Sequence, residues 1–76
     1  MQTGDIQRLI IEGLPDAHVE VRGDDGVHFE ALVVSDAFAG KRQIERHRLV
    51  YAALGERMGG EIHALSLVTM TPEERG

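Results

Sequence analysis

The chain has 76 residues, contains no cysteine and carries a formal net charge of −5. A domain of this size buries only about 60% of the surface that its unfolded chain exposes, which argues against a large catalytic cleft. Without cysteine there are no disulfides, thiolate ligands or cysteine nucleophiles, so histidines and carboxylates are the candidate metal ligands.

The charge is unevenly distributed along the chain. Residues 41–57 contain five basic and two acidic side chains, a balance of +3, which leaves −8 for the remainder. A general nucleic-acid binder usually has a net basic surface, because much of its affinity comes from neutralising phosphates. We therefore interpret this basic segment as a solvated face, a docking surface for a partner or a weak nucleic-acid contact. Its expected exposed, partner-binding members are Arg42, Arg46 and Arg57.

The N-terminal residues are polar, and no apolar run approaches the roughly 20 residues that a membrane span needs. No repeat, linker or low-complexity tract interrupts the chain. These features predict a soluble, cytoplasmic protein without a membrane partner, with one domain over residues 1–76.

The first predicted element is an amphipathic helix over residues 3–12, stopped by Gly13 and Pro15. Ile6, Leu9 and Ile10 lie on one helical face and are expected in the core.

A β-hairpin is predicted next. Residues 17–22 alternate apolar and polar side chains, and residues 27–35 form a largely apolar second strand. The intervening GDDG, residues 23–26, has the GxxG spacing of the loop with which KH domains clamp a nucleic-acid backbone. Its two adjacent carboxylates would repel phosphates, and it joins two strands, so we interpret it as a plain turn.

The long helix is predicted over residues 41–58, with its exit at Gly59 and Gly60. Its buried side is expected to consist of Ile44, Tyr51, Leu54 and Met58.

A third strand over residues 62–70 is followed by a short last helix, with Thr71 as its cap and Pro72 at its first position. The order is therefore αββαβ with a terminal helical turn, an α+β fold. A right-handed crossover makes the third strand parallel to the second. We expect a three-stranded mixed sheet with the two main helices packed on one face.

Parallel strands begin at the same edge of a sheet. His28, near the start of the second strand, and His63, near the start of the third, are therefore expected close together at one edge. Imidazole is a common ligand for iron, zinc and copper, so the pair is a candidate metal site completed by another molecule. The alternative is that both side chains are merely exposed or hydrogen-bonded.

The other two histidines are assigned structural or solvent positions. His47 is expected at the boundary of the core beside Tyr51, and His18 on the polar face of the first strand. No nucleophile elbow, phosphate-binding loop or zinc-protease motif occurs, so catalysis is not expected.

Residues 29–74 resemble the core of the BolA family. The resemblance rests on the order and spacing of VVS, F-x-G-K, RHRLVY, G-x-IHALSL and TPEE. The short cysteine-free hairpin loop is most similar to the IbaG (YrbA-like) branch. The resemblance implies a class II KH-like fold, in agreement with the αββαβ order.

The resemblance also implies a partner and a cofactor. BolA proteins pair with monothiol glutaredoxins and share a bridging 2Fe-2S cluster with them, and the family's histidine ligand falls on His63. The second family ligand, a loop histidine or cysteine, has no direct equivalent here. His28 is our choice because imidazole suits such an iron better than carboxylate, with Asp25 as the alternative. Arg75 stands where relatives usually have tryptophan, so the last helix is expected to be short.

Two functions follow. The leading one is a non-enzymatic iron-sulfur adaptor, in which the glutaredoxin supplies a cysteine and a glutathione thiolate. The alternative is a DNA-binding transcriptional regulator, because some BolA proteins act as transcription factors. The free protein is expected to be a monomer or a weak homodimer.

Overall fold

The structure, a computed structural model, describes residues 1–62 and 64–76. Its first helix, α1, spans Thr3–Gly13, as predicted. Ile6 and Ile10 are fully buried and Leu9 packs against the core from its edge. The last residue of α1, Gly13, lies so close to the second long helix that a Cβ atom there would stand 2.6 Å from the Cβ of Ala53.

The sheet has three strands: β1 (His18–Arg22), β2 (His28–Val34) and β3 (Ala64–Met70). Its order is β1-β2-β3, with β1 antiparallel and β3 parallel to the central β2. The predicted topology is confirmed.

The core lies between the sheet and the two main helices. Along β2, the buried residues Phe29, Ala31 and Val33 alternate with the exposed residues His28 and Glu30. The alternation shows that one face of the sheet is covered and the other is open, as the two-layer prediction requires. Within the described residues, no helix is both long and apolar enough to cross a bilayer.

The second long helix, α2, spans Gln43–Leu54 and is shorter than the predicted 41–58. Gly55, with φ of 61°, ends it, and a 3₁₀ turn (Gly55–Arg57) follows. The predicted exit at Gly59 is therefore wrong. Three glycines lie within six residues here, and the first of them already provides the positive φ that stops a helix.

The predicted faces of α2 are partly wrong. Leu54 is fully buried as expected, but Ile44 is 55% exposed and Tyr51 is 38% exposed. The buried stripe instead combines Leu54 with Val50 and Arg46, each four residues apart.

A short third helix, α3 (Pro72–Arg75), ends the fold as predicted. Thr71 Oγ1 accepts a hydrogen bond from the Glu74 backbone N–H at 3.2 Å, and the Glu74 carboxylate accepts one from the Thr71 N–H at 2.8 Å. This reciprocal capping box satisfies two backbone donors at the start of the helix. Arg75 also donates to Glu20 of β1 at 3.1 Å.

Candidate metal-ligand site at the hairpin loop

The loop between β1 and β2 is organised by Asp25. Its Oδ1 accepts hydrogen bonds from the backbone N–H groups of Val27, at 2.9 Å, and His28, at 2.8 Å. Short acidic side chains commonly close turns in this way. Gly23 also matters locally, because a Cβ atom there would stand 2.6 Å from the Phe29 ring. The predicted turn is thus a tight, internally bonded loop that sets the position of the first residue of β2.

The same carboxylate orients the imidazole of His28. Asp25 Oδ2 lies 2.7 Å from His28 Nδ1. An ionised carboxylate only accepts hydrogen bonds, so Nδ1 carries the proton. In the neutral ring, the Nε2 lone pair is then available, on a side chain that is 74% exposed. Histidine ligands of protein metal sites usually donate their other ring N–H to a carboxylate, a backbone carbonyl or a water, and here the partner is a carboxylate.

The loop also acts on Asp25 itself. The backbone N–H of His28, then its imidazole and the N–H of Val27, hold the pKa of the Asp25 carboxyl well below its usual value of 3.8. Each of these donors favours the ionised form. Asp25 is therefore a charged acceptor whose oxygens are already engaged. The two residues that the sequence left as alternative ligands have distinct positions: His28, the first residue of β2, faces solvent, and Asp25, in the loop, supports it.

His63 lies outside the described residues. Its placement beside His28 therefore stays a prediction. In the parallel register of β2 and β3, the Cα of Ala64, the residue after His63 in sequence, lies opposite the Cα of His28. In the part of the chain that the structure describes, no group of three or more histidine and acidic side chains could hold a metal ion.

An open groove of about 500 Å³ runs from the hairpin loop to the start of β3. His28 is one of the residues that line this groove. The other lining residues are Arg22, Gly23, Asp24, Phe29, Glu30, Ala64 and Ser66.

The three arginines predicted to bind a partner are not equivalent. Arg42 and Arg57 are exposed as expected, and the side chain of Arg42 is 84% exposed. Arg46 is only 5% exposed, so its prediction as a partner contact is wrong.

Arg46 is instead a structural connector. Its guanidinium donates to both carboxylate oxygens of Glu74, at 2.6 and 3.2 Å, and its Nε donates to the Lys41 carbonyl at 2.9 Å. It also lies over the Phe38 ring, 6.0 Å from the centroid. The bond from Arg46 and the N–H of Thr71 lower the pKa of Glu74. The sequence did contain a signal for its burial, because Arg46 is four residues before Val50 and eight before Leu54 on the same helix face. A search for apolar stripes does not detect this position, since arginine is charged.

The remaining histidines occupy positions close to those predicted. His47 is half-buried, with its ring 6.4 Å from that of Tyr51 in an edge-on arrangement. His18 is exposed on β1, 2.7 Å from Glu20, and this bond lowers the Glu20 pKa.

Comparison with known proteins places the fold in a family. The family model described as "BolA-like protein" matches residues 6–74. The solved structure of a BolA protein homologue from Coxiella burnetii is 49% identical, with a TM-score of 0.89, and the match covers 99% of this chain and 96% of that one.

Two curated relatives also match. Human "BolA-like protein 1" is 37% identical over 91% of this chain, and the "DNA-binding transcriptional regulator BolA" of Vibrio cholerae is 44% identical over 78%. The chain spans 57% and 55% of the lengths of these two proteins. The matched names indicate no enzyme family, and the assignment to the IbaG branch stays a prediction. The family model covers nearly the whole chain and the structural match extends over the same fold, so this protein belongs to the BolA family.

Proposed function

We propose that this protein is a non-enzymatic iron-sulfur adaptor of the cytoplasm. In this proposal it binds a monothiol glutaredoxin and shares a bridging 2Fe-2S cluster with it, for iron-sulfur trafficking or iron sensing. The glutaredoxin supplies its own cysteine and the thiolate of bound glutathione. This chain supplies His63, which the family resemblance identifies as a ligand, and His28, the first residue of β2 after the hairpin loop.

The observation that supports the proposal best is the exposed His28 imidazole held by Asp25. The 2.7 Å bond to Nδ1 sets the tautomer, and 74% exposure of the side chain leaves Nε2 accessible to a second protein. Nitrogen ligands of this kind occur in iron-sulfur centres of mixed ligation. The donor chemistry of the loop therefore fits the group.

Asp25 is assigned a supporting role in this proposal. Its Oδ1 accepts the backbone N–H groups of Val27 and His28, and its Oδ2 accepts the Nδ1 proton of His28. Coordination of a metal through Oδ2 would compete with the bond that orients the His28 imidazole. We therefore prefer His28 over Asp25 as the loop-side ligand.

The test is reconstitution of the complex with a monothiol glutaredoxin, glutathione, iron and sulfide, followed by visible circular dichroism. His63→Ala is expected to abolish the spectrum of the mixed complex, and His28→Ala to change its shape or weaken the complex. His18→Ala is the matched control, since His18 is also an exposed strand histidine beside a carboxylate but lies on β1. Thermal unfolding of each free variant separates ligand loss from misfolding. A wild-type spectrum and affinity for both His63→Ala and His28→Ala would refute the proposal.

A second candidate function is DNA-binding transcriptional regulation. It is favoured by the similarity to the DNA-binding transcriptional regulator BolA of Vibrio cholerae and by the exposed side chains of Arg42 and Arg57. Burial of Arg46 removes one positive charge from the predicted phosphate-facing surface, and the chain as a whole is acidic. Binding to duplex DNA at moderate salt tests it: a salt-sensitive complex weakened by Arg42→Ala supports this function, and no complex contradicts it.

A further inference from the structure

His28 lies on the open face of the sheet, the face opposite the two long helices. Along β2, His28, Glu30 and Leu32 alternate with buried residues that face the helices, so these three side chains share the open face. The middle of this face is apolar. Val68 of β3 is opposite Leu32 in the parallel register, and its side chain is 54% exposed. We call Leu32 and Val68 the apolar patch.

A shallow hollow over the apolar patch adjoins the groove at the hairpin loop. The hollow has a volume of about 260 Å³, and the patch residues are part of its lining. Arg22, Glu30 and Ser66 line both this hollow and the groove that contains His28. The surface that begins at the imidazole therefore continues along β2 to the patch.

This surface ends at a cluster of paired charges. Arg75 of α3 donates to Glu20 of β1 at 3.1 Å, and the same Glu20 oxygen lies 2.7 Å from His18 Nε2. Glu20 is opposite Leu32 in the antiparallel register, so the cluster borders the apolar patch on the side away from β3.

A protein that shares a metal with His28 reaches the apolar patch. A strand rises about 3.3 Å per residue, so His28 and Leu32 are about 13 Å apart along β2. A standard protein interface buries about 800 Å² on each partner, which corresponds to a disc of about 16 Å radius. Since His28 is the first residue of β2, the sheet extends from it in one direction only, toward the patch. An interface built around the imidazole therefore covers Leu32 and Val68.

The exposed side of α2 lies outside this footprint. α2 packs on the covered face of the sheet, where Val50 and Leu54 are fully buried. A partner whose cysteine approaches the metal at His28 comes from the open face, so the sheet separates it from the outer surface of α2. Ile44 of α2 is 55% exposed and is thus a position of matched exposure on the other layer.

We propose that the open face of the sheet, from His28 to the apolar patch, is the surface on which the monothiol glutaredoxin docks. This inference rests on the proposed function and adds the position of the partner. The shared cluster fixes one end of the interface, and an apolar side chain of the glutaredoxin packs on Leu32 and Val68 at the other. The apolar contact contributes affinity without changing the ligands of the cluster.

The first test is methyl cross-saturation NMR on the reconstituted complex of the wild-type chain with a monothiol glutaredoxin, glutathione, iron and sulfide. The chain is deuterated except at its methyl groups, and the protons of the glutaredoxin are saturated. The methyl signals of Leu32 and Val68 are expected to lose intensity, and those of Ile44 on α2 and Ile11 on α1 are expected to keep it. Transfer to Ile44 without transfer to the patch would overturn the docking surface.

The second test compares Val68→Glu with Ile44→Glu. Both variants add one carboxylate at positions of equal exposure, so the change in net charge is the same. Val68→Glu is expected to weaken glutaredoxin binding by about tenfold or more, because the new charge is buried in the interface. At saturating glutaredoxin its visible circular dichroism should keep the wild-type shape, since the ligands are unchanged. Ile44→Glu should bind like the wild type, and thermal unfolding of the free chains checks that both variants fold.

The outcomes separate this inference from the proposed function. If the wild-type chain gives the spectrum of the mixed complex but Val68→Glu binds with wild-type affinity, the docking surface is wrong and the adaptor function stands. If the wild-type chain gives no such spectrum, the proposed function fails and this inference fails with it.

Discussion

Arg46→Ala is expected to destabilise the fold strongly although the side chain is a cation on a helix. The charged bond to the Lys41 carbonyl and the paired bonds to Glu74 are lost, as is the contact with Phe38. One hydrogen bond to a charged group contributes about 1.5 to 3 kcal/mol, and only the bond to the Lys41 carbonyl is counted, because the carboxylate of Glu74 is solvent-exposed. The two buried methylenes beyond Cβ add about 0.8 kcal/mol each. The side-chain entropy regained, about 2 kcal/mol, offsets part of this. The net cost is about 1 to 3 kcal/mol.

The assay is thermal and urea unfolding followed by circular dichroism. For a domain of this size, each kcal/mol lowers Tm by roughly 4 to 8 °C, so Arg46→Ala should lower it by roughly 4 to 24 °C. Arg42→Ala is the matched control. Its side chain is 84% exposed and lies 3.6 Å from Glu45 in a surface ion pair, so the change should be within about 0.5 kcal/mol.

A conservative variant sharpens the result. Arg46→Lys keeps the charge but lacks the planar fork that bonds both oxygens of Glu74, so it should recover only part of the loss. Equal stability of Arg46→Ala and Arg42→Ala would refute this reasoning. It would return Arg46 to the partner-binding surface.

Three further outcomes are expected. Gly13→Ala should destabilise the protein by about 1 to 3 kcal/mol, because the new methyl group overpacks against α2. Gly4→Ala, with no atom within 4 Å of the new Cβ, should be neutral or stabilise the protein by up to about 1 kcal/mol. Urea unfolding that ranks the two variants the other way would contradict the close contact between the helices. Leu54→Ala should lower the free energy of unfolding by about 2 to 5 kcal/mol, and Ile44→Ala by less than about 1 kcal/mol. A similar loss for both variants in thermal unfolding would support the buried face of α2 that was predicted from the sequence. The Asp25 carboxyl should titrate below its usual pKa of 3.8 because loop N–H groups stabilise its ionised form, and carbon NMR giving 3.8 or higher would show that the loop bonds are not formed in solution.

The candidate site was predictable in part. Crossover handedness and the parallel register brought His28 to the edge of the sheet where β3 begins, since residues at the start of neighbouring parallel strands share an edge. The bond between Asp25 and His28 was not foreseen from the sequence, in which the two residues are competing candidates for one ligand position. Their contact depends on how a five-residue loop closes, and side-chain hydrogen bonds to nearby backbone decide that closure.

The fold, like the candidate site, was predictable only in part. Local patterns and chain connectivity are written in the sequence: the stripe of Ile6 and Ile10, the alternation along β1, the Thr71 cap and the order of parallel and antiparallel strands were all predicted and are confirmed. These features depend on neighbours within a few residues or on handedness rules that hold for most chains.

The rotation of α2 was decided only by tertiary packing. By residue type Ile44 belongs inside and Arg46 outside, yet Arg46 is buried and Ile44 is exposed. The reason is the partners that the fold brings to Arg46 from distant positions: Phe38 from the turn after β2, and Glu74 from the last helix, 28 residues along the chain. A buried guanidinium is tolerated only when its charge and N–H groups are satisfied, and whether they are satisfied is a property of the assembled fold.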